Sequence, residues 1–253
     1  TIVGAGLRGG SIGVAMKARG SPSPRMAWAR RQPVVDQCVA MDAFDAATSD
    51  LQDAVSGAEL VILCVPVSHM PPLCARMAPH LAPDAVVTDV GSVKADVVAA
   101  LEPIVTRFVG AHPMAGSEQV GLAAASAGLF QGRVCALTPR PGRERDPLVQ
   151  RVGDFWRALG SEVLVMGPER HDAVVARCSH LPHIVASQLA AAVLRDPEDP
   201  LTRAMAGTGF RDTSRLASGS PEMWRDIAQS NRAAILSELS AFEDELQRFR
   251  EIL

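Results

Sequence analysis

The chain of 253 residues contains no tyrosine, and no lysine follows Lys94. These absences exclude mechanisms in which a tyrosine hydroxyl, or a lysine amine in the C-terminal half, acts as the acid or base. The five cysteines are odd in number and scattered, without a Cys-x-x-Cys pair or another metal-ligand spacing. We therefore expect free thiols, no metal site and a reducing, cytoplasmic location.

Long apolar runs and clusters of basic residues are also missing. The longest apolar stretches lie near residues 60–67 and 184–194, well short of the ~20 residues of a membrane-spanning helix. A net charge of −3 without a basic run gives no electrostatic footprint for nucleic acid. We expect a globular protein that acts on a small molecule, with neither a membrane nor a nucleic acid as partner.

Short β-rich runs alternate with helical patterns from Thr1 to about Val165. Such alternation is typical of a mostly parallel sheet flanked by helices. The predicted strands lie near residues 1–4, 25–29, 60–65, 85–90, 106–111, 133–138 and 162–165. After Gly167 only helical patterns follow. The sequence therefore predicts an α/β, Rossmann-like domain over residues 1–166 and an all-helical C-terminal dimerisation domain over residues 167–253.

The C-terminal part is predicted to contain a helical segment from Pro168 to about Leu194 and one long helix from Pro221 to Arg250. At 1.5 Å per residue the long helix would extend ~45 Å, too long for its own small domain to cover. Its apolar residues repeat at alternating spacings of four and three, the pattern of a heptad seam: Ile235, Leu239, Phe242, Leu246, Phe249 and Leu253. We expect a homodimer formed through these helices; the alternative is an amphipathic helix that packs on its own Rossmann domain.

A glycine-rich turn follows the first predicted strand and precedes a helical stretch. In this Gly-x-Gly-x-x-Gly turn, Gly4 permits the tight turn, Gly6 leaves room for a pyrophosphate, and Gly9 lets helix and strand pack closely. The free N–H groups of the helix N-terminus can then bind an anion. The alternative is a turn without a ligand. The predicted dinucleotide contacts here and after the strand at 60–65 are Gly4, Gly6, Leu7, Arg8, Gly9, Val65 and Pro66.

Two arginines stand at the end of the second predicted strand. Arg30 and Arg31 follow Met-Ala-Trp-Ala at 26–29, with no acidic residue beside them. At this point of a Rossmann fold an acid binds the ribose 2′-hydroxyl of NAD, whereas an arginine accommodates the 2′-phosphate of NADP. The sequence favours NADP over NAD as the cofactor; the alternative is that both arginines are solvated surface residues.

Ser92 and His112 follow the ends of two further predicted strands. Ser92 either caps the next helix or hydrogen-bonds a catalytic group, and the two roles are compatible. His112 follows the strand at 106–111 and precedes Pro113, which biases its backbone toward an extended conformation. An imidazole with an ordinary pKa near ~6.5 can take up a proton at neutral pH. We expect His112 at the ligand edge of the sheet, as a catalytic base.

The helical half supplies further histidines and arginines. His171, His180 and His183 have neither a His-Glu-x-x-His motif nor a nearby acidic ligand, which favours pocket lining or packing over metal binding. Arg211 and Arg215 are four residues apart and would share one face of a helix. Such a face can hold a carboxylate.

Over nearly its whole length the chain resembles the prephenate and arogenate dehydrogenase family. The resemblance rests on the glycine turn with Gly10 and Ser11, Asp-Val-Gly-Ser-Val-Lys at 89–94, His-Pro-Met-Ala-Gly-Ser-Glu at 112–118, Gly-Phe-Arg-Asp-Thr-Ser-Arg at 209–215 and Met-Trp-Arg-Asp at 223–226, together with residues 129–130, 137–139 and 179–183. Two positions depart from the family pattern. Arg211 stands where relatives often have lysine, and Gln119 where a basic residue is common.

The resemblance implies oxidative decarboxylation of a cyclohexadienol, arogenate or prephenate, in tyrosine biosynthesis. It assigns His112 to accept the proton of the ring C4 hydroxyl while hydride leaves C4 for the nicotinamide, since hydride departure needs electron donation from that oxygen. It assigns Ser92 to orient His112 and Arg215 to bind the ring carboxylate. The other pocket residues that it implies are Arg211, His183, Ser117, Glu118 and Trp224.

Two alternatives remain open from the sequence. One is a dehydrogenase for 4-amino-4-deoxyprephenate, although the retained His112 argues mildly against it because a ring nitrogen lessens the need for a base. The other is a catalytically silent, dimeric nucleotide-binding regulator. Short-chain dehydrogenases are excluded by the missing tyrosine, and β-hydroxyacid dehydrogenases by the missing lysine in the helical half.

Overall fold

The computed structural model describes residues 1–116, 119–196 and 199–253. It divides into two compact units, Thr1–His171 and Asp172–Leu253. The boundary predicted at 166 lies just before this division, which falls inside a helix that begins at Pro168.

An eight-stranded sheet forms the first unit, in the order β3-β2-β1-β4-β5-β6-β7-β8. Every neighbouring pair is parallel except β6 and β7. The predicted Rossmann-like, mostly parallel sheet is thus confirmed. The strands are β1 Ile2–Val3, β2 Met26–Trp28, β3 Ala46–Thr48, β4 Leu60–Leu63, β5 Val86–Asp89, β6 Phe108–Pro113, β7 Val134–Thr138 and β8 Glu162–Val165.

Six α-helices of the first unit connect these strands in the residues that the structure describes: α1 Leu7–Ala18, α2 Gln32–Ala40, α3 Leu51–Val55, α4 Met70–Met77, α5 Ala95–Leu101 and α6 Pro147–Ala158. The central strands are buried on both faces, as their unbroken apolar runs predict. Because β1, β4, β5 and β6 are parallel, their carboxyl ends meet at one edge of the sheet. That edge is where such folds bind ligands.

Two features of the sheet differ from the sequence-based expectation. Strand β3 was not predicted, because three residues with small side chains at the sheet edge carry no apolar pattern; its register instead comes from pairing with β2. His112 lies inside β6 and not after it. The reason is that β7 pairs antiparallel with the last residues of β6, opposing Ala136 to His112 and Cys135 to Pro113.

All the regular secondary structure that the structure describes in the second unit is helical, which confirms the predicted fold class. A helix that begins in the first unit, α7 Pro168–Val175, passes through a π-helical turn at Ala176–His180 into α8 Leu181–Val193. The helices that follow are α9 Pro200–Met205, α10 Thr208–Ser214, α11 Pro221–Ser230 and α12 Arg232–Ile252.

The prediction of one helix from Pro221 to Arg250 is wrong. The helix is broken at Asn231, whose backbone angles are φ −113° and ψ 28°. Its side-chain amide donates to the carbonyl oxygen of Asp172 at 2.9 Å and contacts Nδ1 of His180 at 3.1 Å. Because Asn231 is buried, these contacts replace solvent for a polar side chain and favour the break. The remaining helix α12, with 21 residues, is ~32 Å long.

Candidate active site

The glycine turn has the geometry that a bound dinucleotide requires. Gly4 has φ +108°, and a Cβ at this position would lie 2.8 Å from the carbonyl oxygen of Cys64. A Cβ on Gly9 would lie 2.1 Å from the carbonyl oxygen of Gly4, so that α1 packs against β1 only if this residue is glycine. A Cβ on Gly6 would meet nothing within 4 Å. The open side of the turn at Gly6, at the N-cap of α1, fits a pyrophosphate.

Arg8, in the first turn of α1, ties this turn to two neighbouring loops. Its Nη1 donates to the carbonyl oxygen of Val90 at 2.7 Å, and its Nε donates to that of Ala115 at 3.1 Å. Both carbonyls lie beyond the ends of strands, β5 and β6 respectively. Burial lowers the pKa of the Arg8 guanidinium. The side chain thus holds three segments of the ligand edge together.

The other predicted dinucleotide contacts border the same edge. Leu7 is the first residue of α1 and is half-buried. Val65 and Pro66 follow β4, and Pro66 is exposed. Arg30 and Arg31 are exposed immediately beyond β2, with Arg31 at the N-cap of α2. Since β1 and β2 are parallel, both arginines share the edge on which the glycine turn lies.

His112 lies near the end of β6 and is 4% exposed. Its Nδ1 is 2.9 Å from Nε2 of His171, a hydrogen-bonding distance between residues 59 apart in the chain. The two rings meet edge to face at 69°, with centroids 5.1 Å apart. His171 is 1% exposed and lies on α7. From the sequence, His171 was predicted only to pack or to line a pocket, because no local sequence pattern predicts a contact between residues so far apart in the chain.

A buried ion pair holds the peptide groups that precede His112. The side chains of Asp89 and Lys94 are fully buried and form a salt bridge. Asp89 Oδ1 accepts a hydrogen bond from the backbone N–H of Ala111 at 3.0 Å, and Lys94 Nζ donates to the carbonyl oxygen of Ala111 at 3.0 Å. The other carboxylate oxygen of Asp89 also accepts from the N–H of Gly91 at 2.7 Å. The pair therefore fixes Ala111 on both sides.

Ser92 is half-buried in the turn between β5 and α5. Helix α5 begins at Ala95 with Lys94 at its N-cap, so the expectation that Ser92 caps this helix is wrong. Its assignment as a partner of His112 stays a prediction. Ser117 and Glu118, two of the predicted pocket residues, lie outside the residues that the structure describes.

In the second unit, His183 and Trp224 form a flat stack. Their ring centroids are 3.5 Å apart and their planes 6° from parallel. Gly219 lies against this stack, and a Cβ there would be 2.4 Å from Trp224 Nε1. Burial lowers the pKa of His183, and a hydrogen bond with the backbone of Leu216 opposes this effect. A neutral imidazole on an indole is a suitable wall for a small organic ligand.

Arg211 and Arg215 are exposed and one helical turn apart in this same unit. The backbone N–H of Arg215, at the C-cap of α10, bonds to the carbonyl oxygen of Arg211. Both side chains therefore leave the same face of the helix, as their spacing predicts. Two guanidinium groups on one face can bind a carboxylate with paired N–H donors.

The described parts of the chain contain neither a cluster of metal-binding side chains nor a helix suited to cross a membrane. Within residues 1–116, 119–196 and 199–253, no group of three or more His, Cys, Asp or Glu side chains is placed to hold a metal ion. Among the helices of these same ranges, none combines the length and the apolar character that crossing a membrane requires.

Comparison with known proteins adds to this geometry. The family models "Prephenate dehydrogenase, nucleotide-binding domain" and "Prephenate dehydrogenase, dimerization domain" match residues 12–165 and 167–253. The chain is 37% identical to the cyclohexadienyl dehydrogenase of Zymomonas mobilis over 98% of this chain and 86% of that protein. It is 34% identical to the prephenate dehydrogenase of Bacillus subtilis over 98% of this chain and 68% of that protein.

A solved structure shows the same architecture. It is the crystal structure of prephenate dehydrogenase from A. aeolicus in complex with hydroxyphenyl propionate and NAD⁺, with a TM-score of 0.92 and 32% identity. The similarity covers 99% of this chain and 88% of that one. Sequence, fold and site geometry agree, and the chain belongs to the prephenate dehydrogenase family of oxidoreductases.

Proposed function

We propose that this protein catalyses the oxidative decarboxylation of prephenate, arogenate or both, with a nicotinamide dinucleotide as hydride acceptor, in tyrosine biosynthesis. The observation that carries the proposal is the buried imidazole of His112 at the carboxyl edge of the sheet, near the glycine turn and bonded through Nδ1. A histidine held in this way presents its other nitrogen as a base. The named relatives, a cyclohexadienyl and a prephenate dehydrogenase, support the substrate class.

The residues of this chain divide the chemistry as follows. When bound, the nicotinamide accepts the hydride that leaves ring carbon C4. Nε2 of His112 takes the proton of the C4 hydroxyl, so that the C4–O bond gains double-bond character as the hydride departs. The C1 carboxylate then leaves as CO₂, its bonding electrons complete the aromatic ring, and His112 returns the proton to the phenolic oxygen. Burial of His112 keeps competing water away from this proton.

Substrate recognition is assigned to the second unit by its side-chain chemistry. Arg215 binds the ring carboxylate, and Arg211 lies on the same face to bind the carboxylate of the side chain. The stacked pair of His183 and Trp224 lines the pocket. Ser117, Glu118 and Ser92 complete the assignment made from the family resemblance.

NADP is the favoured cofactor in this proposal. The exposed guanidinium groups of Arg30 and Arg31 follow β2 with no acidic side chain between them and the strand, and arginine there suits a 2′-phosphate. The similar A. aeolicus enzyme was crystallised with NAD⁺, which makes NAD the alternative. Gly4, Gly6, Leu7, Arg8, Gly9, Val65 and Pro66 hold the rest of the dinucleotide.

We propose further that the chain forms a homodimer through its C-terminal helices. The matching dimerization-domain model and the exposed apolar side chains of α12, such as Leu246 and Phe249, support this arrangement.

The cytoplasmic location stays a prediction from the cysteine pattern. The two alternative functions, oxidation of an amino analogue and a silent regulator, are not favoured by the relatives.

The test is a rate measurement with four substrate pairs. The purified protein is incubated with prephenate or arogenate and with NADP⁺ or NAD⁺, and formation of reduced nicotinamide and of the aromatic product is followed. We expect turnover with at least one cyclohexadienol and a higher kcat/KM for NADP⁺. If none of the four pairs gives reduced nicotinamide, the proposed function is wrong.

A further inference from the structure

We propose that His171 is a positioning residue that fixes the proton of His112 on Nδ1 and thereby leaves Nε2 unprotonated, as a base must be. The inference rests on the proposed function, in which His112 accepts the hydroxyl proton of the substrate. It adds a role to a residue that the family resemblance did not assign. Its structural basis is the 2.9 Å contact between His112 Nδ1 and His171 Nε2.

The contact allows only one proton between the two nitrogens. If His171 Nε2 carried it, His112 Nδ1 would be the acceptor, and the neutral His112 ring would hold its own proton on Nε2, where no base would remain. If His112 Nδ1 carries it, Nε2 is unprotonated. The catalytic assignment therefore selects the second arrangement, in which His171 is neutral, accepts through Nε2 and has its own proton on Nδ1.

The hydrogen bond between His112 and His171 also stabilises the protonated state of His112. After proton uptake, His112 is an imidazolium, and its Nδ1–H still donates to the neutral His171. The ring thus keeps one orientation through the proton transfer. In a neutral imidazole without this partner, the proton can occupy either nitrogen, and the fraction with an unprotonated Nε2 falls.

The surroundings favour a neutral partner over a charged one. Among the residues that the structure describes, the titratable groups close to this part of β6 include the Asp89–Lys94 pair on the β5 side, the Cys135 thiol on β7, and Arg8 on α1. The ion pair is neutral as a whole, and burial raises the pKa of Cys135 so that it stays a thiol. Both histidines are buried, and a second positive charge beside a protonated His112 would be poorly solvated.

Three substitutions at His171 separate positioning from packing. In His171→Gln the amide oxygen occupies nearly the place of Nε2 and can accept from His112. In His171→Asn the same group is one methylene shorter and stops near the place of Nδ1, out of reach. His171→Leu fills the space without an acceptor. The Gln and Asn variants are matched in chemistry and differ only in reach.

We expect kcat to fall roughly 10- to 100-fold in the Asn and Leu variants and by less than about tenfold in the Gln variant, as for other partners that orient a functional histidine. The KM for the cyclohexadienol and the Kd for the dinucleotide should stay within a few-fold of the parent. The acid limb of the kcat/KM profile should move to lower pH in His171→Leu, because the protonated ring loses an acceptor. The Gln variant should keep the parent profile.

A purely packing role predicts the opposite order, because Leu would suit a buried site better than an amide. The proposal would be overturned if the kcat of His171→Leu were equal to or higher than that of His171→Gln. It would also be overturned if His171→Asn and His171→Gln had the same kcat. If the Leu variant does not fold, the comparison of Gln with Asn decides alone.

A second readout does not depend on turnover. In the ¹⁵N NMR spectrum of the selectively labelled protein without substrate, His112 should show a protonated Nδ1 and an unprotonated Nε2, and His171→Asn should shift this toward the other tautomer. A protonated Nε2 in the parent would refute the inference. If the proton of His112 is fixed on Nδ1 but the protein oxidises no cyclohexadienol, the proposed function is wrong. The assignment of His171 as the residue that fixes this proton then still holds.

Discussion

His112 combines low exposure with a bonded Nδ1, and both properties suit a base that must reach substrate but not bulk water. Asparagine at this position is the sharpest probe of that role. Its amide nitrogen lies near the place of Nδ1 and can still donate to His171, while the basic nitrogen is lost. The substitution thus removes the proposed base with little change in packing.

We expect His112→Asn to lower kcat by a factor on the order of 10² to 10⁴, the usual contribution of a general base. The Kd for NADP⁺, measured by calorimetry, should be nearly unchanged because the glycine turn and the arginines are untouched. Turnover close to that of the parent would contradict the assignment.

The choice between the two nicotinamide cofactors is tested at Arg30. Hydrogen bonds to charged groups contribute roughly 1.5–3 kcal/mol, so we expect Arg30→Asp to lower the ratio of kcat/KM for NADP⁺ to that for NAD⁺ by on the order of 10- to 100-fold. Arg145→Asp is the control, since Arg145 is also exposed but lies in the loop before α6. A ratio that does not move, or that moves equally in the control, would exclude a phosphate contact.

The glycines of the turn and the buried ion pair show what a sequence can reveal about single residues. The roles of Gly4 and Gly9 were predicted correctly because a local motif states where no side chain fits, and the backbone confirms both close approaches. The partnership of His112 and His171 could not be predicted, since it joins residues 59 apart through the fold alone. The hydrogen bond from Lys94 to the carbonyl oxygen of Ala111 could not be predicted from the sequence either.

Strand β6 and the turn after β5 are joined by the Asp89–Lys94 pair, so this pair should also be important for stability. Lys94→Met would leave the Asp89 carboxylate buried without its cation. We expect a loss of about 3–5 kcal/mol in the free energy of unfolding, measured by urea denaturation of the first unit through its tryptophans. The double variant Lys94→Met with Asp89→Asn should recover part of this loss, because it removes the unpaired charge. A single variant as stable as the parent would show that the pair does not hold these elements.

Among the elements, apolar runs predicted the strands well, whereas the apolar pattern of the C-terminal residues did not predict the helix break at Asn231. Strand β4 is apolar throughout and was found where expected, whereas β3 is defined only by its neighbour β2. The predicted heptad residues begin at Ile235, after Asn231, so this pattern could not reveal the break. That break depends on hydrogen bonds to Asp172 and His180, which exist only once the helices have packed.

The apolar face of α12 becomes more exposed toward its end. Ile235 is 5% exposed, whereas Leu246 is 48% and Phe249 is 57% exposed. All three belong to the predicted heptad seam, and the polar residues of the helix lie outside it. A contiguous exposed apolar stripe with this period is typical of a helix that packs against another chain.

Phe249 is the largest exposed side chain of this stripe, and aromatic residues often dominate the binding energy of an interface. We expect Phe249→Asp to convert the proposed homodimer into a monomer at micromolar concentration, measured by sedimentation velocity, because a carboxylate would be buried without a partner. Gln247→Asp introduces the same charge outside the seam and should stay dimeric. If Phe249→Asp sediments as the parent does, the dimer is not held by this stripe and the seam has another role.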